Sequence, residues 1–150
     1  IDRRNSENWA IALVGSGGAI ISFAIFDLVN LTTRRGHRMW LVAGGLSVLV
    51  TTSGPLTAFS YARFRTPRPL NHGDFDLAGG RLTTAGVGLG AGYSMNWLTI
   101  WNDEVASMGN LVSSLPMHGS ASMAIPGAGV YHGVFKVQYG NGTPLNPRAL

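Results

Sequence analysis

Arg81 to Trp101 reads RLTTAGVGLGAGYSMNWLTIW, and from Leu82 onward a period of two holds for twenty positions. Odd positions carry Thr83, Ala85, Val87, Leu89, Ala91, Tyr93, Met95, Trp97, Thr99 and Trp101, while Gly86, Gly88, Gly90 and Gly92 fall on even ones. Successive side chains leave a pleated backbone on opposite faces, so this alternation is the signature of a strand. One face is apolar and ends in aromatics. The other is bare glycine in its middle, which requires close packing of a neighbour or a bend in the chain.

The flanking sequence repeats the theme. Trp9 to Leu31 is WAIALVGSGGAIISFAIFDLVNL, with Asp27 its only charge. The run is long enough to span a bilayer as a helix. Its central Gly15-Ser16-Gly17-Gly18 and its β-branched and aromatic content instead fit two apolar strands joined by a glycine turn. Thr32 to Arg38 is a turn by composition, and Met39 to Thr52 reads as a hairpin or bulged strand broken at Gly44-Gly45. Thr57 to Thr66 alternates as a strand. Thr66-Pro67-Arg68-Pro69 should not continue a ladder, because proline has no N–H to give. Asn102 to Ser114 has helix-like spacing of Val105, Met108, Leu111 and Val112 behind Asp103 and Glu104. Ser120 to Ile125 and Val130 to Tyr139 read as two further strands.

These segments predict one all-β domain over residues 1–150: a small antiparallel β-barrel or sandwich of about seven or eight strands, with at most one short helix. A polar N-terminal arm (1–8) and a C-terminal tail (140–150) flank it. With 12% charged residues the chain is poor in charge, and its mean hydropathy of +0.17 is high for a water-soluble protein. There is no cysteine, which excludes disulfides and thiolate metal sites. The chain starts at Ile1, which suggests a processed segment.

The net charge is +4, and the arginines are clustered. Arg34, Arg35 and Arg38 form one group and Arg63, Arg65 and Arg68 another, each suited to phosphates, anionic lipid heads or acidic glycans. Tyr93, Trp97 and Trp101 recur every four residues on one strand face, where they would pack a core, line an apolar ligand cavity or sit at a membrane interface.

Catalytic motifs are weak. Asp74 and Asp76, with His72, offer oxygens and a nitrogen to calcium or a softer metal, but no glutamate closes the loop as in an EF-hand. Gly15-Ser16-Gly17-Gly18 lacks both the Rossmann spacing and the lysine of a P-loop. No GxSxG elbow surrounds Ser94 or Ser120.

These features point to a non-enzymatic, exported or cell-surface β-domain, toxin- or virulence-like in role, that needs no cofactor. It would bind an apolar ligand, an anionic membrane surface or a protein partner through Tyr93, Trp97, Trp101 and the two arginine groups. Nucleic acid is not expected as a partner, and an oligomer is compatible with such a surface. The first alternative is an integral membrane protein with four helices near Trp9 to Leu31, Met39 to Ala62, Thr84 to Trp101 and Met117 to Phe135, or a transmembrane barrel. The second is a hydrolase or metal-dependent enzyme using Asp74, Asp76 and a histidine.

Overall fold

A computed structural model describes residues 3–17, 21–47, 54–55, 58–59, 61–87, 90–102, 111–124, 127–138, 140 and 142–144. They form strands β1 (Ser6–Gly17), β2 (Ile21–Asn30), β3 (Arg35–Ser47), β4 (Gly54–Pro55), β5 (Ala58–Phe59), β6 (Ala62–Leu70), β7 (Gly79–Val87), β8 (Gly90–Trp101), β9 (Val112–Ala124), β10 (Gly127–Val137) and β11 (Thr143–Pro144), with one 3₁₀ turn at His72–Phe75. Eight of these strands are long, and all pairings are antiparallel. Around the sheet they run β6, β1, β2, β3, β10, β7, β8, β9. Short β5 pairs with β9 immediately before β6 takes up its pairing with β1, so the sheet curls into a nearly closed barrel.

The stretch from Leu82 to Trp101 is therefore two strands and not one. Leu82 pairs with Leu98 and Val87 with Tyr93, so even residues meet even residues and odd meet odd across the hairpin. That parity is why the alternation runs on through the turn. Even positions face inward: Leu82, Asn96, Leu98 and Ile100 are all buried. Gly80, also inward, lies against the Phe135 ring, which occupies the space where a β-carbon would stand.

Described core side chains gather at the end where β1 begins. Segment 71–78 folds in there as a plug. Asn71 caps the 3₁₀ turn, its side chain accepting from the Gly73 N–H at 2.8 Å while Asp74 accepts from the Asn71 N–H at 2.9 Å. The reciprocal pair satisfies the donors of the turn and fixes it. His72 and Phe75 are thereby driven into the barrel, each with its ring 4.9 Å from that of Trp9. The plug is tied to β10 by Leu77 N–H to Phe135 O and Phe135 N–H to Ala78 O, both 2.8 Å.

Several expectations need correcting. Gly44-Gly45 does not break β3, which runs straight through to Ser47 because β2 and β10 pair with it on both sides. The helix expected over Asn102–Ser114 falls at 103–110 outside the described residues, and its end is strand, β9 starting at Val112. Of Ser120 to Ile125, Ser120 to Ala124 are the last part of that strand, and Ile125 lies outside the described residues. The arm and the tail both contribute strands, β1 from Ser6 and β11 against Arg35 and Gly36. The four proposed membrane helices do not exist as helices: apart from Leu31 and Tyr61 their described residues are strand, and no helix among the described residues is long and apolar enough to cross a membrane. The proline segment behaves as its chemistry requires. Pairing of β6 with β1 jumps from Arg65 opposite Asn8 to Leu70 opposite Ser6, so Thr66 to Pro69 bulge out of the ladder.

Candidate functional site

The outer wall over β3, β10, β7 and β8 exposes side chains that a barrel ordinarily hides. Val42 is 57% exposed and its pairing partner Val134 47%; Val130 is 40% exposed and Met95 36%. Trp40, Trp97 and Trp101 lie half-buried on the same wall. The ladder makes these residues neighbours. Val134 pairs with Gly79, which pairs with Trp101; Val130 pairs with Thr83, which pairs with Trp97. Trp101 lies across Gly79, its indole filling the place of the missing side chain, so this glycine carries an aromatic cover. A pair of exposed polar side chains, His132 and its partner Arg81, interrupts the apolar wall.

Of the three aromatics singled out in the sequence, Trp97 and Trp101 thus belong to this wall and not to the core. The side chain of Tyr93 lies outside the described residues. Trp40 and Val42 lie in a run that reads as apolar on both faces, and Val130 and Val134 share their parity with His132 and Lys136, so neither strand singles them out. Only the inward burial of Leu41, Tyr131 and Phe135 shows which parity faces out.

A second feature lies on the opposite side of the barrel, where β1, β6 and the β2–β3 turn meet. Arg34, Arg63 and Arg65 line a cleft of about 520 Å³ together with Asn8, Thr32, Leu31 and Phe64. Asn8 sits opposite Arg65 in the ladder and its carbonyl accepts from the Leu31 N–H at 3.0 Å, which draws the turn against β1. Glu7 holds Arg65 through Nη2 at 2.6 Å and Nε at 3.1 Å. Arg34 has φ of 58°, the left-handed region that favours glycine, and its N–H donates to Asn30 O at 2.8 Å.

The other expected arginines are elsewhere. Arg35 donates to Gly142 O at 3.2 Å, Arg38 pairs with Asp27 at 2.8 Å, and Arg68 stands exposed on the β6 bulge. Asp27 also lies 3.5 Å from the Tyr61 hydroxyl. Burial, then the Asp27 charge and its hydrogen bond, push the Tyr61 phenol above its usual range, with Arg38 opposing.

The metal candidates do not converge. Asp74 is spent on the cap, Asp76 accepts from the Val137 N–H at 3.0 Å and approaches Lys136 at 3.4 Å, and His72 faces Leu28 O at 3.0 Å inside the barrel. Among the described residues no three His, Asp or Glu side chains are placed to hold an ion. No protein-family model matches the chain, and no curated protein or solved structure matches it significantly.

Proposed function

We propose that this barrel works by binding and not by catalysis, and that it docks on a lipid surface through the outer wall of β3, β10, β7 and β8. The observation that carries the reading is the exposure of Val42, Val130, Val134 and Met95 beside half-buried Trp40, Trp97 and Trp101. Large apolar side chains exposed together on one wall are costly in water and mark an interaction surface. Tryptophan is favoured where an apolar ring meets a wet edge, which is the chemistry of the headgroup boundary. The net charge of +4 and exposed Arg81 within the wall add attraction to anionic lipid.

Docking on the surface accounts for the wall better than spanning does. An arginine facing hydrocarbon at mid-depth costs about 2–4 kcal/mol, and Arg81 with His132 stands between the apolar residues. An enzymatic reading has no support of this kind, since Asp74 and Asp76 are engaged with backbone N–H groups and converge on no cleft.

Flotation of the purified chain with vesicles of phosphatidylcholine, with and without phosphatidylglycerol, tests the proposal. It should rise with the vesicles and more so with the anionic ones. Brominated acyl chains should quench the outer tryptophans while Trp9, fully buried, serves as the internal control. A chain that stays at the bottom of the gradient with both lipid compositions overturns the proposal.

A further inference from the structure

We propose that the arginine cleft between β1, β6 and the β2–β3 turn binds a phosphate monoester whose organic part is apolar. The inference does not rest on the outer wall, because β6 lies across the barrel from β10. It stands on charge, on backbone conformation and on the character of the lining.

The charge is the first argument. Glu7 engages Arg65, but among the described residues no carboxylate engages Arg34 or Arg63. Among the described residues the lining therefore carries two positive charges beyond the Glu7–Arg65 pair, and a phosphate monoester carries about −1.5 to −2 near neutral pH. Guanidinium groups are planar forks that match phosphate oxygens in pairs and stay charged at all accessible pH values. Glu7 on Arg65 occupies the position of one more oxyanion.

The backbone is the second argument. The turn Leu31 to Arg34 puts an arginine, not glycine or asparagine, at φ of 58°. A bulky residue in that region carries strain that persists where the surrounding structure enforces it, and such residues collect at ligand clamps. Here the Asn30 carbonyl pins the Arg34 N–H, and the Asn30 side-chain oxygen accepts from Thr32 and Thr33 N–H at 2.9 and 3.2 Å, so the turn is held in this shape. The strained position is the one whose side chain lines the cleft.

The lining is the third. Leu31 lines the cleft beside its cations and Phe64, its ring also packed 6.4 Å from that of Phe75, meets it from the barrel side, which suits a phosphate attached to an aromatic or aliphatic group better than a bare ion.

Calorimetric titration of the whole chain with inorganic phosphate and with phenyl phosphate tests this. Phenyl phosphate should bind more tightly than inorganic phosphate. Arg63→Ala and Arg34→Gly should each weaken it about tenfold, the loss of one charged hydrogen-bonding partner. Arg34→Gly relieves the left-handed strain, so its melting temperature should rise by about 2–4 °C while binding falls, which separates lost recognition from lost folding. Glu7→Gln frees Arg65 and should tighten binding. Vesicles containing phosphatidic acid distinguish the source: a headgroup site binds them with the same dependence on Arg63, and a site for soluble esters binds phenyl phosphate alone. Affinity for phenyl phosphate that is absent, or indifferent to both arginine variants, overturns the inference.

Discussion

Trp9 and Trp97 sit on two sides of one barrel wall and are used in opposite ways. Trp9 faces inward, fully buried, with its Nε1–H donating to Ser6 O at 2.9 Å and its ring meeting those of His72 and Phe75 edge to face. Trp97 faces outward beside exposed valines and methionine. The first is satisfied in every way that a buried indole can be; the second leaves part of its ring to water. The difference shows that residue type does not choose the face. Register does, because shifting a strand by one residue would exchange the two surfaces entirely.

The contrast breaks most visibly by deleting the two rings. Trp9→Ala removes the centre of the packed end and should destabilise the fold by about 3–5 kcal/mol, read as the midpoint shift in urea. Trp97→Ala should cost about 1 kcal/mol or less, yet reduce vesicle flotation. Equal losses of stability would mean that the outer wall is covered in solution.

Adjacent glycines sharpen the comparison at the level of a single methyl group. A β-carbon at Gly80 collides with the Phe135 ring, which is buried and itself 5.8 Å from the Phe26 ring, so nothing can move aside cheaply. Gly80→Ala should cost about 1–3 kcal/mol by overpacking. The same change at Gly79 meets first the Trp101 indole on the outer surface, which can swing away into solvent. Gly79→Ala should therefore be the milder of the two by thermal denaturation, and it should alter the Trp101 emission.

On the wall itself, Val42→Thr with Val134→Thr keeps the β-branched shape that strands favour and adds only hydroxyls. Stability should stay within about 0.5 kcal/mol per site. Vesicle affinity should fall about tenfold for the pair, the worth of roughly two buried methyl groups. Unchanged flotation would move the docking face elsewhere.

Much of the barrel was legible in the chain because strands announce themselves by alternation and by glycine punctuation. Leu82 to Trp101 gave its two faces at once; it concealed its turn, since Val87 pairs with Tyr93 and parity survives the hairpin. Which face is the core was not legible there, because the apolar odd face looks like a core and the glycine face does not. Inward Gly80 is accounted for only by Phe135, which arrives from a strand some fifty residues later in sequence. The cleft was half visible: Arg34, Arg63 and Arg65 stood out as clusters, but Arg35, Arg38 and Arg68 had the same claim. What separated them was Asn8 and the turn drawn against it, a long-range contact that no local pattern records.

The smallest effect concerns Tyr61, whose hydroxyl lies 3.5 Å from Asp27 on β2. Burial is the leading cause that raises its pKa above the usual value near 10, followed by the charge of Asp27 and the hydrogen bond to it. A folded-state value raised above the unfolded one contributes stability that is full below the unfolded value and is lost as pH rises through the folded one. The protein should therefore weaken on the alkaline side, above about pH 10. Asp27→Asn removes the Asp27 charge, the second of the raising causes, and releases from its ion pair Arg38, whose charge acts to lower the value. The Tyr61 ring-carbon NMR titration should then move to lower pH and the alkaline loss of stability should shrink. An unmoved titration would assign the whole shift to burial, and with it a Tyr61 ring packed as tightly as the inward rings of the barrel.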